Sequence, residues 1–449
     1  MSVPLLTKPD VGACVVEGST ACAAPLPFPR RILKHPRVTP YHRLIVLVMT
    51  VNVGWAGYGA TTASWWTSEG TDLGAVALVA QTNLAAAVVF RQQYVLNALA
   101  WLVTRPPTSW PLRVRWALGK YYHFGGLHVG AAVAGTFWYL ALVVSMVRDA
   151  VVGVGQASGT HMILGTTIAT TFLVMVVMAL PRLRAAQHDR FEATHRFCGW
   201  TALVLVWANT MLFADGDMMT APAFWLILLS ALMAVWPWLL LRRVPVSCQR
   251  PSSHAVVLRF DHGVIPAVGT TRPISRRPFL GWHHFANVPA GQGTTGYRML
   301  VSRAGDWTSA LVDEPPSHVW VRGIPTVGVA NVRKLFTKVV LVATGSGIGP
   351  VLGHLLDTSV PSRLVWVTKN PRRTYGDAFV DEIQAAQPDA LIWDTGALGK
   401  PDVLQLAYAA YVESGAEAVI CVSNRDVTCQ VVHGLERCGI PAFGPIWDS

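Results

Sequence analysis

VVLVATGSGIGPVLGHLL, residues Val339 to Leu356, reads as a buried β-strand that runs into a glycine turn and then into a helix. Each small residue of the turn Gly345-Ser346-Gly347-Ile348-Gly349-Pro350 has a physical use. Gly345 and Gly347 let the backbone turn sharply and approach a pyrophosphate, and Pro350 suits the first turn of a helix whose free N–H groups attract anions. A glycine turn alone is often only a tight connection, so its surroundings decide. From Lys338 onward the strand-like stretches KVVLVATG, RLVWVTKN, ALIWDTG, AEAVICVS and PAFGPIW alternate with helical patterns, the βαβ signature of a parallel sheet. Upstream, HAVVLRF, GYRMLVSRA and SHVWVRG are short β-branched and aromatic runs punctuated by Gly and Pro, which predict a small antiparallel β-barrel.

The rest of the chain is of another kind. Of 449 residues, 52% are hydrophobic and only 14% charged, with 18 tryptophans and a mean hydropathy of +0.39. About 20 apolar residues cross a bilayer, and six runs qualify: Arg43–Trp65, Leu73–Phe90, Tyr121–Val147, His161–Leu180, His195–Ala214 and Ala221–Leu241. The second is interrupted by Gln81 and Asn83. Arginine and lysine gather before the first run, between the second and third, between the fourth and fifth, and after the sixth, which places both termini in the cytosol. The net charge of +11 is accounted for by these loops, so lipid rather than nucleic acid is the expected partner. The seven cysteines form no Cys-x-x-Cys pair, which argues against a disulfide framework or a zinc site.

The expected organisation is a cytosolic, disordered tail over residues 1–40, an α-helical membrane bundle of about six spans over 41–243, a β-barrel flavin-binding domain over 244–335 and an NAD(P)-binding α/β parallel-sheet domain over 336–449. No removable signal peptide is expected in the first 40 residues.

The glycine turn, the stretch LGWHHFANVP (Leu280–Pro289), the stretch RAGDWT (Arg303–Thr308) and the tail AFGPIWDS together resemble the ferredoxin–NADP reductase superfamily. Within it they resemble the ferric reductase and NADPH oxidase branch, fungal TmpA-like membrane flavoproteins above all. The resemblance implies FAD held by Trp282, His283 and Phe285, with Arg303, Gly305 and Thr308 at its diphosphate. It implies NADPH, with NADH as the alternative, held by the glycine turn, with Lys369, Arg372 and Arg373 at the adenosine 2′-phosphate. Trp447 matches the terminal aromatic that covers the flavin, and Cys421 the cysteine of a late Cys-Gly-Pro motif. The sequence departs from the family at His284, where a proline is usual, at Ala286, where a flavin-bonding threonine is usual, and in RGIPTVG and CVSN, which replace two further motifs.

That branch carries two haems between its third and fifth spans, and here His128 and His195 match one level. His128 lies 20 residues before Arg148 and His195 lies 20 before Asp215, so the two imidazoles are expected at similar depth. Fourteen residues further on stand Leu142 and Asn209, and neither replaces a haem ligand. That leaves roughly 21 Å of membrane without a cofactor, at 1.5 Å per residue. At most one haem b is expected. The functional expectation is a flavoprotein that passes electrons from NADPH through FAD to a small-molecule acceptor in the cytosol or the membrane. A one-haem metalloreductase or superoxide-producing oxidase, and a degenerate reductase kept as a membrane scaffold, are the alternatives. Oligomeric state is not legible in the sequence.

Overall fold

The computed structural model describes residues 38–155, 157–212, 218–261, 266–290 and 295–445. They divide into two compact units. One contains residues 40–95 and 123–239, and the other contains 96–122 together with everything described from 240 onward. The segment 96–122, expected within the bundle, thus packs with the C-terminal half.

The first unit is helical. Its central helix, Gly125–Val152, is approached closely by its neighbours because it presents glycines. A Cβ on Gly126 would lie 2.3 Å from the Tyr41 carbonyl oxygen, and one on Gly130 2.9 Å from Val48. Several polar groups point inward and pair with one another. Asn52 and Asn83 exchange amide hydrogen bonds of 2.7 and 3.0 Å, Trp138 Nε1 donates to Asn52 at 2.8 Å, and Gln81 donates to Thr210 at 3.0 Å. Meanwhile Val53, Val144 and Ile163 are among the most exposed side chains of the molecule. Polar inside and apolar outside is the arrangement a bilayer stabilises.

Among the described residues four helical stretches are long and apolar enough to cross a membrane: Pro40–Thr61, Leu112–Val152, Gly159–Met178 and Pro222–Leu239. Leu73–Val89 followed by Gln93–Val103, bent by 69°, would make a fifth. The expected run beginning at His195 is instead the later part of a 25-residue helix, His188–Leu212, whose early turns carry Asp189, Arg190, Glu192 and Arg196. Among the described residues four stretches qualify, or five with the bent pair, where six were expected.

In the second unit, strands are numbered from a small hairpin of the helical unit, β1 (Trp66–Thr67) and β2 (Gly70–Thr71). The antiparallel domain contains β3 (Arg242–Pro245), β4 (Ser247–Gln249), β5 (Ala255–Phe260), β6 (Thr270–Ser275), β7 (His283–Ala286), β8 (Val288–Pro289), β9 (Tyr297–Ser302), β10 (His318–Val321) and β11 (Thr326–Val327). One sheet runs β11-β6-β10-β3 with β7 also on β6, and the other runs β4-β5-β9-β8. Among the described residues no pairing joins them, so the expected barrel is two sheets sharing one core. The chain crosses between them at Val246 and at Asn287, and Val256, Leu258, Ile274, Met299, Val301 and Val319 fill the space between.

The α/β domain is a parallel sheet of β12 (Val339–Thr344), β13 (Ser362–Thr368), β14 (Leu391–Asp394), β15 (Ala418–Val422) and β16 (Ala442–Phe443), in the order β14-β13-β12-β15-β16. All four registers are parallel, from Val339↔Ser362 on one side of β12 to Val339↔Ala418 on the other. The strand order therefore reverses at β12, and in such sheets the crevice beyond the reversing strand is where ligands bind.

Candidate functional site

The glycine turn sits at that point. Residues Gly345–Gly347 form one turn of 3-10 helix at the end of β12 and lead directly into helix Ile348–Leu356. Gly345 has φ +49°, a left-handed conformation that a side chain disfavours. Gly347 is required for a different reason: a Cβ there would lie 2.1 Å from the Val422 carbonyl oxygen. Trp366 Nε1 donates to the Gly345 carbonyl at 3.0 Å, and the Thr344 and Ser423 hydroxyls bond to each other, which pins the turn between β13 and β15. No side chain caps the N-terminus of helix Ile348–Leu356, so its first amides remain available to an anion.

The second of the two sheets and the glycine-turn helix press together. Gly349 faces Leu300 of β9, and Gly353 approaches the Asn287 carbonyl and Pro289. Arg298 pairs with Glu382, and Ser252 donates to the Thr374 carbonyl at 2.7 Å. Deeper in this seam His354 is 1% exposed, with both ring nitrogens unbonded, wedged against Gly269, where a Cβ would lie 2.3 Å from its Cε1. Burial, with the Arg333 guanidinium next in effect, pushes its pKa down to about 3; Lys334 adds to this and Asp357 opposes it.

His354 is therefore neutral in the fold, whereas the unfolded chain binds a proton near pH 6.5. Stability should fall as pH drops from about 6.5 towards about 3, by up to about 1.4 kcal/mol per pH unit. His354→Leu leaves no partner unsatisfied and should flatten this limb while holding stability at neutral pH. Thermal melts across that pH range check it, and an unchanged slope in the variant overturns it.

Around the flavin-like stretch, Trp282 is buried, with the Arg322 guanidinium 4.5 Å above its ring and Nε1 donating to the Pro278 carbonyl at 3.2 Å. His283 and Phe285, on one face of β7, both meet Trp307, at ring separations of 4.3 and 6.0 Å. Trp307 lies in the first turn of helix Asp306–Asp313, so an aromatic wall stands beside a helix N-terminus. Arg272 pairs in register with Phe285 across β6 and β7, and its buried Nε has no hydrogen-bond partner. The aromatic wall suits a flavin ring, and the unbonded Arg272 Nε suits an anionic group beside it. Sequence reasoning named neither Trp307 nor Arg272 as a site residue. The tryptophan was visible in RAGDWT, whereas the arginine carries no local motif.

The residues expected at the diphosphate are partly occupied with one another. Arg303 bonds the Asp313 carboxylate and the Ser253 carbonyl. The Thr308 hydroxyl accepts from the amides of Ala304 and Gly305 at 2.9 and 3.0 Å and donates to the Gly305 carbonyl. These contacts shape the loop; what remains open is the space over Gly305, where a Cβ would meet nothing within 4 Å.

After β13, Lys369 and Arg373 are exposed and form no ion pair among the described residues, while Arg372 is tied to Asp377 and Asp381. Cys421 lies within β15, fully buried in the sheet core, where burial pushes its thiol up to about 12. A thiol so placed is a packing residue, and the expected catalytic role does not fit its position. Trp447 lies outside the described residues.

In the helical unit the structure brings His128 and His195 together, with ring centroids 6.3 Å apart and planes at 74°. His128 Nδ1 donates to the Ala87 carbonyl at 2.8 Å, which leaves Nε2 as the lone-pair nitrogen. Two metal–imidazole bonds of about 2 Å each, added to the half-widths of two rings, span about the observed separation. By separation alone, the pair leaves room for one metal ion between two imidazoles. Among the described residues no group of three or more His, Cys, Asp or Glu side chains could hold a metal ion.

Residues 329–449 match the family described as the C-terminal domain of Adenylate-forming reductase 03009. Over 430 residues the chain is 39% identical to Adenylate-forming reductase 03009 of Coprinopsis cinerea, covering 93% of this chain and 41% of that protein. Adenylate-forming reductase 06235 of the same organism is 38% identical over 429 residues, with the same coverage. The chain thus spans well under half the length of these curated relatives. Among solved structures, a ferredoxin NADP+ reductase from Neisseria gonorrhoeae with bound FAD and NADP is similar at 14% identity, with a TM-score of 0.38, over 46% of this chain and 98% of that one. A flavohemoglobin from Malassezia yamatoensis with bound FAD and heme is similar at 12% identity, with a TM-score of 0.40, over 85% and 99%. These two likenesses are too distant to carry a functional argument.

Proposed function

We propose that the chain is an NAD(P)H-dependent flavin oxidoreductase anchored in a membrane, passing electrons from NADPH through FAD to a small-molecule acceptor in the cytosol or the bilayer. The observation that carries the reading is the glycine turn at the reversal point of the parallel sheet, with an uncapped helix start, packed directly against the antiparallel domain. The reductase names of the two relatives support it, and the length of those relatives not covered here leaves the acceptor open.

When bound, the two cofactors supply hydride and electron transfer. The chain's own residues bind, orient and exclude water. The first amides of helix Ile348–Leu356 hold the dinucleotide pyrophosphate, and Lys369 and Arg373 take the 2′-phosphate that distinguishes NADPH from NADH. Arg272 and the start of helix Asp306–Asp313 would hold the flavin diphosphate, and His283 and Trp307 would offer the wall for the flavin ring.

Purified protein reconstituted with FAD should show flavin absorption that NADPH bleaches without oxygen. Protein that stays colourless and gives no calorimetric heat with either coenzyme would end the proposal. The facing His128–His195 pair favours a second reading, one haem b on the electron path, and a Soret band in the same spectrum decides it.

A further inference from the structure

We infer that residues 96–118 form a plate lying flat in the membrane interface, with Trp101, Leu102, Trp110 and Val114 inserted among lipid headgroups and acyl-chain ends. The inference rests on the membrane-anchored reading above and adds to it a lipid-binding surface on the segment that packs with the C-terminal half.

Helix Gln93–Val103 is amphipathic the wrong way round for water. Ala98, Trp101, Leu102 and Arg105 recur at helical spacing on the exposed side, where Trp101 is 58% and Leu102 61% exposed. The inward side carries the polar residue. Asn97 donates to the Pro325 carbonyl at 2.8 Å and accepts from the Val327 amide at 2.9 Å, so the helix is pinned to the start of β11, and Ala100 is buried beside it.

The next helix, Leu112–Leu118, repeats the inversion. Arg115 is buried, bonded to Glu417, while Trp110 and Val114 are 46% and 40% exposed. Two successive helices that each turn one polar side chain inward, with Trp101, Leu102 and Val114 outward and Trp110 just ahead of the second, have a common cause if the outward side meets lipid.

Length and charge fix the kind of contact. At 11 residues, helix Gln93–Val103 is about half of what a bilayer crossing needs, and its inward face is already committed to a strand backbone. No Asp or Glu occurs between Asp72 and Asp149, while Arg105 and Arg113 stand on the exposed side. The Arg105 guanidinium lies 4.2 Å over the Trp101 ring. Tryptophan and arginine on one face, with no acid nearby, is the composition of an interfacial helix buried about 5–10 Å below the headgroup level.

The test places a nitroxide at Leu102→Cys and at Val114→Cys in the full-length protein in phosphatidylcholine–phosphatidylglycerol nanodiscs, with the spectrum of the unsubstituted protein subtracted. Collision with oxygen and with an aqueous nickel chelate is compared with two references: Val144→Cys on the exposed side of helix Gly125–Val152, and Val412→Cys, exposed in the α/β domain. Labels at 102 and 114 should favour oxygen, less strongly than 144 and far more than 412. If 144 is lipid-immersed but 102 and 114 match 412, the inference falls and the membrane reading stands. If 144 also matches 412, both fall. Labels at 102 and 114 shielded from both reagents would mean a protein partner covers the face, which also overturns the inference.

Discussion

Gly347→Val should remove NADPH binding while leaving the helical unit intact. The position has no freedom in the direction a side chain needs, because the first added carbon would sit 2.1 Å from the Val422 carbonyl oxygen. That oxygen belongs to backbone at the end of a strand buried in the parallel sheet, so it cannot rotate away as a side chain would. The turn must move instead, and with it the start of helix Ile348–Leu356. A displacement of about 1 Å in a positioning element costs about 100-fold in function, and overpacking costs about 1–3 kcal/mol in stability. Calorimetry should show coenzyme affinity lowered by at least that factor. Gly345→Ala, whose penalty is only the left-handed φ of +49°, should lose less. An affinity ranking other than this would mean that the turn does not hold the pyrophosphate.

The parallel sheet was legible because its strands are buried on both faces and read as continuous Val, Ile and Leu runs, and because a glycine turn has a spacing. The same holds for the depth match of His128 and His195, which follows from counting residues along two helices that run in the same direction. What escaped the sequence depends on contacts between distant segments. Nothing in the local stretch KNPRRTYG distinguishes Lys369 and Arg373 from Arg372; only the fold supplies Asp377 and Asp381 to neutralise the middle one. Arg303 and Thr308 suited a phosphate by type, yet the fold spends them on Asp313 and on the loop's own amides. Cys421 resembled a motif residue, but one position in a strand separates the sheet edge from its core. The stretch 96–122 looked like a basic loop, because the partners that make it structural lie more than 200 residues further along the chain.

Among those partners, Arg115 and Glu417 carry the second large effect. Arg115 is 4% exposed and uses its whole fork: Nε donates to the Trp110 carbonyl at 2.7 Å, Nη1 to the Leu335 carbonyl and to Glu417 at 2.8 Å, and Nη2 to Glu417 at 2.9 Å. Glu417 also accepts from the Thr337 amide at 2.7 Å. Arg115→Ala leaves two carbonyls and a carboxylate without their donor, and removing one partner of such a pair costs about 3–5 kcal/mol. The hydrogen bonds from Arg115 hold the Glu417 carboxyl at about 2, below its ordinary value of 4.5. A depressed carboxylate stabilises the fold above about pH 4.5 and loses that contribution as pH falls through about 2. The acid limb assigned to His354 begins higher, near pH 6.5, so the two can be separated by where each variant departs from the parent. Arg115→Met should therefore melt at a markedly lower temperature at pH 7, with a deficit that narrows as pH falls from about 4.5 towards 2 but keeps the part owed to the two carbonyls. The double variant Arg115→Met, Glu417→Leu should recover more than half of the loss, since it strands no charge. Equal losses for the single and double variants would show that the segment is held by its packing and not by this ion pair.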